Sequence, residues 1–239
     1  MKRDSFIQAL TIATGDVVCC VGAGGKTSLM FHLAREAREL GLKVLVTTTT
    51  KMFIPDTGQY DALDLSGKLF AAGPVPGPGI CVGGLPGPVA GKMSGVGMEL
   101  LAEQRKLFDL VLVEADGAAQ KPLKGWKATE PVIPDFTTRT VGIVDIGTIG
   151  RIICASLVHR LEIFSGLTGG IDGEQLTVDH LYRMVAHRMG LFFHARGERV
   201  LFINKVESVM DRRNVDHLRG LLPDLKIVAG SVHRGTLYG

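Results

Sequence analysis

Lys26 and Thr27 follow a glycine run, Gly22-Ala23-Gly24-Gly25, and precede a segment with helical periodicity, 28–37. An apolar stretch, 16–21, leads into the glycines. Strand, glycine turn, Lys-Thr and helix is the layout of a phosphate-binding loop. Glycines let consecutive main-chain N–H groups curl around phosphate oxygens, and the helix N-terminus adds partial positive charge. Gly22, Ala23, Gly24, Gly25, Lys26, Thr27 and Ser28 form the predicted cradle, with the Lys26 ammonium on the outer phosphates and the Thr27 hydroxyl in a Mg²⁺ shell. The spacing is G-x-x-G-K-T. Cys20 stands where the first glycine of the longer G-x-x-x-x-G-K-[ST] form would be. The expected ligand is a nucleoside triphosphate, ATP or GTP, with Mg²⁺.

Five further groups of residues suit the same ligand. An apolar run from Phe108 ends in Glu114-Ala115-Asp116-Gly117. Alternation puts Glu114 and Asp116 on one side of an extended segment. A carboxylate there can hold Mg²⁺ through water or orient a nucleophile. Asp116 is therefore expected to share the metal with Thr27, and Glu114 to orient water or a transferred group. Lys51 closes a threonine run, 47–50, on the rim expected to carry the loop, and is a candidate catalytic cation. Lys121 and Lys124 are candidates for an anionic ligand, or else for surface ion pairs. Asn204-Lys205-Val206-Glu207 follows a late apolar strand, where an N-K-x-D sequence reads guanine. Glu207 is one methylene longer than Asp, which leaves the base open. His159-Arg160 reads either as a phosphate neighbour or as part of a surface ion pair.

These groups need elements to carry them. An amphipathic helix is expected near 6–10, then strands at 16–21 and 43–48, separated by a helix that Gly41 closes. That is a βαβ unit, so the sheet should be parallel. From 55 to 97 the pattern loosens. The runs 73–79 and 83–88 are rich in glycine and proline, and 80–82 reads as a short strand in an excursion at the sheet's edge. A helix at 98–106, strands at 108–117, 139–145, 200–204 and 226–229, and helices at 173–189 and 208–222 complete the reading. The predicted fold is α/β: a three-layer α/β/α arrangement with a mostly parallel sheet, P-loop NTPase-like, as one domain over 1–239 with the insertion after the second strand. Ligands belong at the C-terminal ends of its strands.

Composition narrows the function classes. The 239 residues carry 27 Lys and Arg against 24 Asp and Glu, a net charge of +3. That balance argues for neither nucleic acid nor a membrane surface as partner. No apolar stretch is long enough to span a bilayer, and the N-terminus lacks a convincing cleavage site, so the expected location is cytoplasmic. The four cysteines form no C-x-x-C pair, and Cys19 and Cys20 are expected to be buried hydrophobes. No H-x-x-x-H or G-x-S-x-G grouping is present, which disfavours a zinc enzyme and the commonest serine hydrolase.

Taken together, 22–27, 47–51, 113–118, 121–124, Glu130-Pro131-Val132-Ile133-Pro134, His159-Arg160 and 204–207 resemble the YqeC family, named as accessory proteins of selenium-dependent molybdenum hydroxylases. The resemblance runs from about Phe6 to Val228. It implies a nucleotide-binding α/β fold and a role in maturing such hydroxylases or their cofactor, with a molybdenum hydroxylase or its pterin cofactor as partner. Two positions depart from the family's habit: Glu207, where Asp is commoner, and Gly125-Trp126, where Ala-Pro is more usual. The loop and threonine run are also similar to the ATP-binding domain of Mur-type amide ligases, whose additional domains do not fit in this length. The expected function is nucleoside-triphosphate binding with slow hydrolysis. The alternatives are a small-molecule kinase or ligase, with Lys51, Lys121 and Lys124 on its second substrate, and a non-enzymatic chaperone acting through the glycine-proline insertion.

Overall fold

The computed structural model describes residues 5–71 and 77–239. Its elements run α1 (Phe6–Ala9), β1 (Val17–Gly22), α2 (Lys26–Glu39), β2 (Lys43–Thr48), β3 (Lys51–Phe53), β4 (Ala62–Asp64), β5 (Gly79–Gly83), β6 (Leu85–Pro86), β7 (Lys92–Ser94) and α3 (Met98–Gln104). They continue with β8 (Leu110–Glu114), β9 (Leu123–Lys124), β10 (Arg139–Asp145), β11 (Val158–His159), α4 (Leu161–Thr168), α5 (Val178–Ala186), β12 (Glu198–Asn204), α6 (Val209–Leu221), β13 (Lys226–Ser231) and β14 (Thr236–Tyr238).

The central sheet has the order β14-β13-β12-β10-β1-β8-β2-β5-β4. Every neighbouring pair in it is parallel except β13 with β14. β1 lies between β8 and β10, with Cys20 level with Glu114 and Gly22 level with Ile143. Every residue of β1 is buried, because both faces are covered. Val18 and Cys20 join the layer packed under α1 and α2, with Leu29, Met30, Leu33 and Ala37. Val17, Cys19 and Val21 face the other layer, with Phe164 of α4, Leu181 of α5 and Leu218 of α6. Alternating side chains thus feed two cores on opposite faces of one sheet, which is why a parallel strand reads as continuously apolar. The expected three-layer arrangement is what forms.

Four elements depart from the sequence reading. The 80–82 segment is no edge excursion: β5 is a fully buried parallel strand beside β2, and β4 lies outside it. The insertion also supplies β3, β7 and β6, which form a separate three-stranded antiparallel ribbon. Residues 72–76 of the glycine-proline run lie outside the described residues. The helix expected over 173–189 is confined to α5, since Thr177 caps it in a box with His180 and Gly173 upstream has a positive φ of 92°. The expected 108–117 strand stops at Glu114, after which the chain turns so that Asp116 enters the core. Among the described residues no helix is long and apolar enough to cross a membrane.

Candidate functional site

β1 ends at Gly22 and α2 begins at Lys26, so Ala23, Gly24 and Gly25 make the whole connection. Gly24 and Gly25 have φ of +85° and +130°. A Cβ on Gly24 would lie 2.4 Å from Asp145 Cβ, and one on Gly25 2.4 Å from Asn204 Nδ2. Both backbone angle and space therefore demand glycine. The first two amides of the turn are used within the protein: Gly22 donates to Asp116 Oδ2 at 3.0 Å and Ala23 to Ile143 O at 3.2 Å. The next five, from Gly24 to Ser28, have no acceptor among the described residues. Gly25 offers α2 no side-chain cap, and the helix's own ladder starts with Leu29 N donating to Gly25 O at 2.9 Å. All five residues border one open cleft of about 1230 Å³. Unpaired amides at a helix start are donors awaiting an acceptor.

Beneath the loop runs a chain of charges. Lys26 Nζ donates to Gly22 O at 2.6 Å and stands 3.1 Å from Asp116 Oδ1. Asp116 Oδ2 receives Trp126 Nε1 at 2.7 Å and lies 3.1 Å from Lys124 Nζ. Lys124 donates to Gly117 O at 2.6 Å and meets Glu130 Oε2 at 3.3 Å, while Arg160 reaches Glu130 Oε1 at 2.7 Å. Burial alone would raise the Asp116 carboxyl, but Lys26, Lys124, the Gly22 amide and Trp126 hold it below the usual range. Burial also opposes the charge on Lys26, yet Asp116 and Glu114 outweigh it and keep that ammonium firmly protonated. For Lys124 burial wins, helped by Lys26, and its pKa falls below the lysine norm.

This geometry corrects two expectations. Asp116 is not beside Thr27 in a metal shell: both its oxygens are sealed under the loop by two ammoniums, an indole and an amide. Lys124 is not a ligand contact either, because it is wholly buried with its ammonium turned to Asp116. The carboxylate that does meet Thr27 is Glu114, whose Oε2 accepts the Thr27 hydroxyl at 2.6 Å. Burial raises the Glu114 carboxyl above its ordinary value, against the opposing pull of Lys26 and the Thr27 bond.

Asn204 braces the loop from the neighbouring strands. Its Nδ2 donates to Gly24 O at 2.9 Å, and its Oδ1 accepts Lys205 N at 2.9 Å and Val232 N at 3.1 Å. An amide so engaged with backbone holds β12, β13 and the loop in register. Lys205 has a left-handed backbone, φ 63°, that turns its Nζ to 2.5 Å from Asp145 Oδ2. Glu207 accepts Ser231 Oγ at 2.8 Å and lies 3.4 Å from Arg234. Lys121 Nζ donates to Ala155 O and to Val158 O.

The middle of this arrangement is where the chain meets known proteins. A family model described as YqeC protein matches residues 18–162, which hold the loop, Glu114 and the whole Lys26-to-Arg160 charge chain. The chain belongs to the YqeC family. It is similar to a protein named "Uncharacterized protein YqeC" from Escherichia coli (strain K12), 34% identical over 203 residues, covering 79% of this chain and 75% of that one. In this YqeC-family chain, Asn204 to Glu207 fall beyond the span of the family model.

The cleft gathers Lys26, Thr27, Glu114, Lys51, Lys121, Asn204, Lys205 and Glu207 from distant parts of the sequence. It excludes Asp116 and Lys124. Four side chains that sequence reasoning passed over, Arg35, Phe53, Lys92 and Arg151, also line it. Among the described residues seven lysines and arginines border the cleft against two glutamates, a strongly cationic wall. Two of the missed residues left a trace in the sequence: Arg35 lies seven residues beyond Ser28 on one helix face, and Lys92 opens a charged-apolar-polar alternation.

Proposed function

We propose that the cleft binds a nucleoside triphosphate with Mg²⁺ and hydrolyses it slowly, in service of maturing selenium-dependent molybdenum hydroxylases or their cofactor. The observation that carries the binding reading is the row of five acceptor-less amides from Gly24 to Ser28 at the head of a fourteen-residue helix, facing a cationic cleft. Polyphosphate is the ligand whose oxygens match such a row.

Lys26 lies beneath that row, already charged and already donating to Gly22 O. Transfer of its Nζ to a phosphate oxygen exchanges one acceptor for another while Asp116 continues to balance the charge. The donor set at Thr27 suits Mg²⁺, which takes oxygen ligands and keeps waters and phosphates in its shell. Thr27 Oγ1 and the second oxygen of Glu114 would hold it. Among the described residues there is no cluster of three His, Cys, Asp or Glu that would make an all-protein site. When bound, the ion supplies positive charge against the phosphate oxygens. With the Thr27 hydroxyl on one oxygen and the ion on the other, Glu114 would orient a water of the ion's shell. Asn204 serves the loop rather than the base, so ATP and GTP are both admitted.

Thermal denaturation with Mg-ATP and with Mg-GTP tests the reading. Ligand at about a hundred times its dissociation constant stabilises the fold by roughly 2.7 kcal/mol. Lys26→Ala should remove that gain. No stabilisation by either nucleotide, with or without Mg²⁺, would refute it.

A further inference from the structure

We propose that the flank of the cleft away from Asn204 and Glu207 is a second subsite, built for a phosphate-bearing small molecule and held by Arg35, Lys51 and Lys92. The proposal rests on the nucleotide reading above and adds a second ligand to it.

The sheet order sets the two flanks apart. Asn204, Glu207 and Val232 stand at the ends of β12 and β13, on one side of β1. Lys51 follows β2 on the other side, beyond β8. A nucleotide with its phosphates on 24–28 and its base towards β12 leaves the β2 flank open. Room is ample: about 1230 Å³ exceeds the roughly 300–1,000 Å³ of a pocket for one small molecule.

The ribbon of β3 and β7 forms the wall of this flank. Its register pairs Phe53 with Lys92, Met52 with Met93 and Lys51 with Ser94. Alternation therefore puts Met52 and Met93, 3% and 0% exposed, against the core under α2, and turns Lys51, Phe53 and Lys92 outward together. Lys92 Nζ stands 4.6 Å from the Phe53 ring centroid. From α2, Phe31 and Arg35 line the same cleft, and Arg35 lies about 10 Å along the helix from Ser28. That distance separates it from the phosphate cradle itself.

Among the described residues no carboxylate is paired with any of these three cations. Among the described residues the side chains of Arg35 and Lys51 have no ion pair or hydrogen bond, and the Lys92 side chain has only its ring contact. Arg38, on the same helix but off the cleft, is paired with Asp61 at 3.5 Å. Three like charges lining one cleft repel one another until an anion enters. Phosphate, with several acceptor oxygens, suits an arginine fork and two ammoniums better than a single carboxylate does.

Isothermal titration of the full-length protein tests this. The protein is first saturated with Mg²⁺ and a non-hydrolysable ATP or GTP analogue, and pyrophosphate is then the titrant. The expected result is a further binding event in the wild type that weakens by about tenfold or more in Arg35→Ala/Lys92→Ala. Both residues are at the surface, and the double variant should bind the analogue within about twofold of wild type. The proposal is overturned if pyrophosphate fails to bind the analogue-saturated protein, or binds the double variant as well as the wild type. Failure of the nucleotide reading would show separately, as absence of analogue binding in the first titration.

Discussion

Lys26 Nζ and Asp116 Oδ1 lie 3.1 Å apart, with side-chain exposures of 5% and 0%, directly under the loop that gathers the free amides. The two ends of this pair are not equivalent. Asp116 also answers Lys124, Trp126 and Gly22, whereas Lys26 has one other partner, Gly22 O. Asp116→Asn therefore leaves the buried Lys26 ammonium without its ion-pair partner and Lys124 with Glu130 alone, and should cost roughly 3–5 kcal/mol. Lys26→Met leaves Asp116 paired with Lys124 and should cost distinctly less, while nucleotide binding is lost. Urea denaturation of the two variants checks the order; equal costs would contradict the asymmetry.

Trp126 is the sole tryptophan, and its Nε1 donates to the same carboxylate that balances Lys26. If a nucleotide draws the Lys26 ammonium towards its phosphates, the field at the indole changes. Titration with Mg-ATP or Mg-GTP should alter intrinsic fluorescence in a saturable way. The response should vanish in Lys26→Ala even at concentrations that saturate the wild type. A variant lacking Lys26 that still gave the full signal would separate the indole from the loop.

Much of the frame could be read from local pattern. The turn at Gly22–Gly25 declared itself through residues that only a positive φ or a close approach requires, and the apolar strands 16–21, 43–48 and 139–145 fall within a residue or so of the observed ones. Glu114 and Asp116 were legible as a pair but not as a division of labour. What separates them is Lys124 and Trp126, which reach Asp116 only because the chain beyond β8 folds back beneath the loop. That is a tertiary fact with no local periodicity to announce it. The two-residue strands β9 and β11, at Leu123–Lys124 and Val158–His159, are too short to carry a pattern. β5 reads as an edge excursion because flanking glycine and proline mask a strand that pairing with β2 and β4 makes internal to the sheet.

Glu114 and Thr27 illustrate the cost of burying a carboxylate. The Glu114 pKa is raised by burial, so its folded value exceeds its unfolded one. Such a group lowers stability as pH rises through that interval, beginning near the ordinary glutamate value of about 4.3. Glu114→Gln keeps an acceptor for the Thr27 hydroxyl and removes the charge. The variant should melt above the wild type at neutral pH, with the advantage disappearing below about pH 4, and its Mg-dependent hydrolysis should be lost. Melting curves across pH decide it; a variant less stable at neutral pH would mean that the charge is needed for the fold.

Glu130 should behave in the opposite sense. Burial works to raise its carboxyl, but the Arg160 bond and Lys124 prevail and hold it low. Its stabilisation is present above the unfolded pKa and is lost as pH falls through the folded one; Asp116 adds to the same trend. Glu130→Gln should cost about 1–3 kcal/mol at neutral pH, and the gap to wild type should narrow on acidification below about pH 4. A gap that stayed constant across that range would assign the loss to packing rather than charge.

Gly25 and Asn204 offer the last test, because one contact serves both loop shape and loop support. At φ +130° and with Asn204 Nδ2 2.4 Å from where a Cβ would stand, Gly25→Ala meets backbone strain and a collision together. The strain alone costs about 1–3 kcal/mol. Asn204→Ala removes the collision but also the bond to Gly24 O. The double variant should therefore be more stable than the sum of the single losses predicts, by about 0.5–3 kcal/mol of coupling. It should still fail to bind nucleotide, since strain at Gly25 and loss of the brace both displace the amides from Gly24 to Ser28. Urea denaturation supplies the coupling energy and titration with Mg-ATP and Mg-GTP the binding, and simple additivity would show that a side chain at position 25 does not collide with Asn204.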